Sequence, residues 1–572
     1  MGEHPSMKIK NLLFHTGWFI ILLGALLAHF VQTSGDVTIR DLRFNGENGQ
    51  VLSGLLYVPP GVSAEDKAPA ILAVHGYFNS RETQDGFAIE FARRGYVVLA
   101  LDQGGHGYSD PPAFANGFGG PGALAYLRSL EFVDTDNIGL EGHSMGGWTV
   151  LAAAAAMPDA YKAVVLQGSS TGAPFAREGD PTWPRNLAVV FSKYDEFSQT
   201  MWGVDRAQDI ASGDKLKAAF GTTDTVVEDQ IYGDIEAGTA RILNQPNTTH
   251  PGNHFSPEAI GDAIAWFDLT LEGANPISPD EQIWMWKEIG TLIALIGFVV
   301  LLAGTFEMLL RSQVFAHLRK QPEGAAYASR NGKWWLHFAL ATLIPVLTYY
   351  PFFYWATVIF PASALLPQTF TSQIALWAVL NGVIVLAMGL VFKGDKVAGR
   401  GDIWGSVLIA LATVGIGYIA VAAVDFFFKV DFRFWVLALK PLDLIRFQIG
   451  LVYLVPFTVY FLLAMRGLHT GLSVVGDGRV AQYLSNIAIM IVGFILFLGF
   501  QYLTLLFTGH LFSMNEPLNT VIGMQFVPLL AIVAFLSTFA WRRTGSYLPG
   551  AFINALFVTW YIVGSQAIQF AV

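Results

Sequence analysis

The sequence predicts two architectures in series: an α/β domain with a mostly parallel sheet flanked by helices, and an all-α domain of transmembrane helices. Three observations predict them. Between about residues 37 and 273, short β-rich apolar runs alternate with helical stretches, as when parallel strands are joined by crossover helices. Beyond Pro276, apolar runs recur at lengths near the roughly 20 residues that cross a bilayer. The 572-residue chain is 53% hydrophobic and only 14% charged, too apolar for one soluble domain. The expected organisation is a transmembrane anchor over 1–33, an α/β domain over 34–275 and a polytopic domain of about eight helices over 276–572.

Charge divides the chain along the same line. Residues 34–288 carry 34 Asp or Glu against 16 Lys or Arg, while the remainder carries 10 against 18. So acidic a soluble part argues against nucleic acid as a partner, because phosphate binding requires clustered positive charge. With no cysteine, disulfides, thiolate metal sites and cysteine nucleophiles are excluded.

Taken in order, Lys8 and Lys10 precede an apolar run from about Leu12 to Val31. Ala25-Leu26-Leu27-Ala28 is small enough for signal-peptidase cleavage, but the apolar run is long for a cleaved signal and favours an anchor. Val37–Phe44 and Val51–Val58 read as an opening hairpin. Ala70–Val74, Tyr96–Leu101, Asn137–Leu140, Ala163–Leu166, Leu187–Phe191 and Ala240–Leu243 read as buried strands. The Asp-, Gly- and Thr-rich stretch 196–237 interrupts the alternation and suggests a lid. The later apolar runs lie at about 289–310, 335–360, 371–392, 403–428, 444–465, 483–508, 521–541 and 547–571, giving about nine spans with the anchor.

With the N-terminus inside, the cytoplasmic segments hold 14 Lys or Arg, including Lys8, Lys10, Lys393, Lys396 and Arg400. The outer segments hold Lys429, Arg433, Lys440 and Arg446. That asymmetry places 34–288 on the extracytoplasmic side, in a multi-pass protein of the plasma membrane.

One short stretch carries the chemistry. Gly142-His143-Ser144-Met145-Gly146-Gly147 follows a strand-like run and precedes a small-residue helical run, so a serine sits on a tight strand-to-helix turn. Helix N-terminal N–H groups there can stabilise an oxyanion. A serine hydroxyl needs a base and a group to orient that base. Asp195, after the run Leu187–Phe191, is the expected acid, with Glu196 as the fallback. Two histidines after the last strand compete as base: His250, a few residues past the strand, is slightly preferred to His254, which lies near the start of the Ser256-capped helix Pro257–Leu271. Tyr77 and Met145 are the expected oxyanion donors, and His75 is read as structural. No metal cluster accompanies the two histidines.

With these residues in place, the stretch from about Val37 to Gly273 resembles the α/β-hydrolase superfamily, in its esterase, lipase and serine-peptidase branches. The resemblance rests on His75-Gly76-Tyr77, the run Asp102 to Ser109, Gly142 to Gly146, Asp195 and the late histidines, in that order. Gln103 stands where the family often has a basic residue. Gly117-Phe118-Gly119-Gly120-Pro121-Gly122 fits GxGxxG but follows a loop, so dinucleotide binding is not expected, nor is any other cofactor.

In the membrane part, Glu307, Asp425 and His337 read as interfacial. Asn381, Asn486, Gln501 and Asn554 read as helix-to-helix hydrogen bonders. The aromatic loop Phe426 to Trp435, with Lys429 and Arg433, is expected at the lipid surface. The resulting expectation is a membrane-anchored serine hydrolase acting on carboxylic esters, with a small-molecule or lipid acyl substrate and membrane lipids around it. The alternatives are a peptidase or amidase of the same fold, and a hydrolase-like domain that only binds, attached to a transporter or sensor.

Overall fold

The computed structural model describes residues 11–78, 80–392, 397, 399 and 401–570. Lys8, Lys10, Lys393, Lys396 and Arg400, on which part of the charge asymmetry rests, lie outside the described residues. The chain opens with α1 (Leu12–Gln32), 21 residues of high mean hydropathy. The α/β unit runs from Leu27 to Glu288 and also takes in Phe500–Pro517 and the residues from Ser565 onward.

Its sheet has eight strands: β1 (Thr38–Asn45), β2 (Val51–Val58), β3 (Ala68–Val74), β4 (Val97–Asp102), β5 (Val133–His143), β6 (Ala163–Gln167), β7 (Leu187–Val190) and β8 (Arg241–Asn244). Their order is β1-β2-β4-β3-β5-β6-β7-β8. The β1–β2 and β2–β4 pairs are antiparallel and the rest parallel. Strand residues alternate between two apolar layers. Leu72, Val74, Leu99 and Leu101 face one core, and Ile71, Ala73, Val98 and Ala100 the other. Burial on both faces is why these strands read as continuous apolar runs rather than as alternating ones.

Helices α2 (Asp85–Arg93) and α7 (Pro257–Thr270) cover one face, while α3 (Gly120–Arg128) and α4 (Met145–Ala156) cover the other. The Ser256 hydroxyl accepts from the Ala259 N–H at 3.1 Å, capping α7. The stretch after Asp195 forms α5 (Ser198–Trp202), a 3₁₀ turn (Ala207–Ser212) and α6 (Asp214–Phe220). Met201, Trp202, Ile210, Leu216 and Phe220 bury their side chains in the same core as α3 and α4.

The register decides where chemistry can occur. Val74 pairs with Gly142, His143 with Gln167, Gln167 with Val190, and Val190 with Asn244. The C-terminal ends of β3, β5, β6, β7 and β8 therefore stop on one edge, and the loops that follow them converge there, where open α/β sheets bind ligands.

The second unit holds the helical remainder up to Gly564. Among the described residues, eight helices, α1 included, are long and apolar enough to cross a membrane, and the bent pair Gly332–Leu347 and Tyr349–Ile359 makes a ninth if counted as one span. That pair breaks where Pro351 cannot donate to the Leu347 carbonyl. Within the unit, the Asn381 amide reaches Thr348, at the break of that bent pair, at 3.1 Å, while Asn486 reaches Thr538 at 2.9 Å and Asn554 the Val533 carbonyl at 3.1 Å, both on another helix. Gln501, by contrast, donates to Ser513 in the turn after its own helix. Glu307 is paired with Arg311 and Arg543.

The loop expected at the lipid surface departs from its reading. Phe426 and Phe427 are exposed, but Arg433 is buried and paired with Asp431 at 2.7 Å. The chain there folds into a short hairpin, Phe432–Phe434 with Leu437–Leu439, which turns the guanidinium inward.

Candidate active site

The turn between β5 and α4 holds Ser144 at φ 54°, ψ −121°, a conformation that L-residues rarely adopt. Flanking glycines make it sterically feasible. A Cβ on Gly142 would overlap the Gly146 carbonyl, and one on Gly146 would overlap the Val74 carbonyl. The Ser144 N–H donates to the Gln167 carbonyl at 2.8 Å, and its carbonyl accepts from Gly147 at 2.9 Å, locking the turn onto β6. Ser144 is half-buried, while both chain neighbours are buried.

The acid and base arrive on two adjacent loops. Beyond β7 and β8 the chain continues the parallel pairing: the Lys193 N–H donates to the Pro246 carbonyl and that of Tyr194 to the Thr248 carbonyl, both at 3.0 Å. This puts Asp195 beside His250, with Asp195 Oδ2 2.8 Å from His250 Nδ1. Below them Gly168 leaves room, for a Cβ there would sit 3.0 Å from His250 Nδ1 and 3.3 Å from Asp195 Oδ2. Asp195 is 1% exposed and His250 5%. The Phe197 ring covers the imidazole, with centroids 4.4 Å apart.

His254 does not meet Asp195. Its ring packs on His143, centroids 4.0 Å apart, and His143 in turn hydrogen-bonds through Nε2 to the His250 carbonyl at 3.0 Å. His143 therefore supports the loop that carries His250. Burial, and then the neighbouring His254 and His250, hold the His143 imidazole well below the ordinary histidine value, so it serves as a neutral donor. Burial alone would also lower His250, but the Asp195 carboxylate outweighs it, helped by its hydrogen bond and by Glu196, and His250 is raised. Glu196 accepts from the His250 backbone N–H at 2.8 Å and is pushed up to about 7 by burial and by the charge of Asp195.

The loop His75-Gly76-Tyr77, at the end of β3, lies against the serine: a Cβ on Gly76 would be 3.3 Å from Ser144 Cβ. Several side chains outside the expected set hold this loop. Gln103 donates to the Gly76 carbonyl at 3.1 Å and accepts from Thr149 on α4 at 2.7 Å, bracing the loop to the elbow helix. His106 Nε2 lies 2.8 Å from the Tyr77 carbonyl. Gln569 donates to the Tyr77 hydroxyl at 3.1 Å, and next to it Ile568 exchanges backbone hydrogen bonds with Gly105 and Ala113. His75 is buried within this scaffold. Gln103 had left a sequence signal, as a departure from the family pattern, and His106 lies in the same quoted run. The others act through contacts distant in sequence.

Comparison with known proteins places this architecture. A model of the alpha/beta hydrolase fold matches residues 69–199, from β3 through the elbow to just beyond Asp195. No curated protein matches the chain. Among solved structures, hypothetical protein PA2218 from Pseudomonas aeruginosa is similar at 30% identity over 24% of this chain and 44% of its own length, with a TM-score of 0.21. The Pyrococcus furiosus esterase Pf2001 is similar at 18% identity over 41% and 94%, with a TM-score of 0.30. Epoxide Hydrolase A from Mycobacterium thermoresistibile is similar at 21% identity over 24% and 40%, with a TM-score of 0.20. The chain thus spans less than half the length of the first and last of these. With its eight-stranded, mostly parallel sheet and the matched segment running through the elbow, the chain carries an α/β-hydrolase fold, joined to several helices apolar enough to span a membrane.

Proposed function

We propose that the protein is a membrane-anchored serine hydrolase that cleaves carboxylic esters through Ser144, His250 and Asp195. The observation that carries this reading is the strained Ser144 on an elbow whose preceding residue, His143, hydrogen-bonds the loop that holds His250 2.8 Å from the buried Asp195. Ser144 Oγ attacks the acyl carbonyl, and His250 takes the hydroxyl proton at Nε2 while Asp195 holds Nδ1–H. The N–H groups of Tyr77 and Met145 receive the oxyanion. As the tetrahedral intermediate collapses, His250 returns the proton to the leaving alkoxide, and the alcohol departs. Water, activated by the same imidazole, then attacks the acyl-serine and releases the acid.

An apolar acyl group is favoured by the wall beside this site. Tyr77 stacks on Phe114 at 5.7 Å, and contacts continue through Phe118 and Phe175 to Trp148, which lies one turn along α4 from Ser144. Phe114 and Phe175 remain 40% and 52% exposed. We place this domain on the extracytoplasmic side of the plasma membrane, with the N-terminus cytoplasmic.

A fluorophosphonate probe on the full-length protein tests the chemistry: labelling is expected on the wild type and lost in Ser144→Ala. Labelling that survives the substitution overturns the nucleophile. p-Nitrophenyl esters are expected to outpace aminoacyl amides, and the reverse ranking makes the enzyme an amidase. Protease added outside intact cells is expected to cut within the exposed stretch 221–237, and protection there reverses the orientation.

A further inference from the structure

The helix Arg479–Thr508 has 30 residues. At 1.5 Å per residue it is about 45 Å long, against a hydrocarbon core of about 30 Å, so roughly ten residues are left over. Its last turns, from Phe500, belong to the α/β unit together with the segment that follows to Pro517. There Tyr502 donates its hydroxyl to Glu196 Oε1 at 2.6 Å, and the Glu196 Oε2 accepts from the backbone N–H of His250 at 2.8 Å. A second contact fixes the same helix end. Gly509, at φ 86°, leaves room only for the Arg206 side chain, which packs against it from the stretch after Asp195.

Building on the proposed serine mechanism, we infer that Tyr502 is a positioning residue for the candidate triad: its hydroxyl holds the Glu196 carboxylate where that carboxylate anchors the loop carrying His250. The end of a helix long enough to cross the bilayer thereby supplies, within the α/β unit, a group that the base depends on.

The chemistry makes the role measurable. Glu196 faces Asp195 on its own loop, His250 on the neighbouring loop and Tyr502 on the helix end. Burial and Asp195 raise it to about 7, while His250 and the Tyr502 hydroxyl favour its charged form. As a carboxylate it accepts from both donors and adds to the field that stabilises the His250 imidazolium. Once protonated it loses that charge. Removing the tyrosine hydroxyl keeps Glu196 protonated to higher pH, so on acidification the His250 loop loses its anchor, and the imidazolium formed in the transition state loses its support, at a higher pH than in wild type.

The test is the pH profile of kcat/KM for a p-nitrophenyl ester, measured on full-length wild type, Tyr502→Phe, Glu196→Gln and the double variant. In Tyr502→Phe the acidic limb is expected to move up by about half a pH unit, a roughly threefold loss at pH 6, with the alkaline plateau retained within about twofold. In the Glu196→Gln background the same substitution should leave the limb unmoved. A uniform loss at every pH, or an equal shift in both backgrounds, overturns the positioning role. Fluorophosphonate labelling run alongside separates the two readings. Normal Ser144-dependent labelling with an unmoved limb rejects Tyr502 alone, whereas absent labelling rejects the serine mechanism and this inference together.

Discussion

The two units bury polar side chains in opposite ways. In the α/β unit they converge: His143 at the end of β5 and Asp195, Glu196 and His250 on the loops after neighbouring strands meet at one edge, linked by hydrogen bonds of 2.8 to 3.0 Å, and Ser144 follows His143 there. In the helical unit they are dispersed. Asn486 and Asn554 each bridge a pair of helices, Asn381 reaches Thr348 at the break of the bent pair, and Thr413 returns its hydroxyl to the Ile409 carbonyl one turn back. A parallel sheet brings the ends of distant strands together, so polar groups can act as a unit. A bundle satisfies polar groups pair by pair, and each pair stabilises its own contact.

The strongest way to break this contrast lies at the two late histidines. His250→Ala should lower kcat/KM by about ten-thousand-fold or more, since members of such a unit fail together. His254→Ala, which removes the ring packed on His143, should cost less than about a hundredfold. Equal losses would mean that the cluster does not divide into base and support. Asp195→Asn should also cost about ten-thousand-fold, through the wrong histidine tautomer, with the thermal midpoint nearly unchanged.

A smaller effect separates charge from packing. Glu141, one strand residue before Gly142, is buried, accepts from Gln84 through both oxygens, and is pushed up to about 8 by burial. The folded chain thus keeps a proton that the unfolded chain releases, so stability falls as pH rises from the ordinary carboxyl range toward 8. Glu141→Gln should gain thermal stability relative to wild type between pH 5 and pH 8.5. A gap that stays constant with pH would show Glu141 ionised throughout.

The smallest effect belongs to the helical unit. Asn486→Ala, which deletes the bond to Thr538, should cost about 0.6 to 2 kcal/mol of stability and leave ester hydrolysis within twofold. A large loss of activity there would show that the dispersed polar pairs also serve the site.

Much of the fold was legible because its signals are local. All eight strands lie within a few residues of their expected runs; for β3 to β8 the reason is that parallel strands buried on both faces are short, apolar and bounded by turn residues. The elbow was legible for the same reason: Gly142 and Gly146 are needed by a turn that spans only a few residues. The choice between His250 and His254 was not. Both sit in one Asn-, Thr- and Pro-rich loop, and only the pairing of Tyr194 with Thr249 decides which ring meets Asp195. Arg433 misled because its aromatic-rich sequence context carries no sign of the short hairpin that buries it.

What the amino-acid order determined alone is therefore the periodic part of the molecule: the apolar spans, the twice-buried strands and the glycine-flanked serine, each specified by residues within a turn or a strand length. Tertiary structure decided which groups surround that serine. Tyr502 reaches Glu196 across 306 residues, and Gln569 reaches Tyr77 across 492. Such contacts leave no periodic trace, because a single hydroxyl or amide needs only the right place in space and no pattern in the chain.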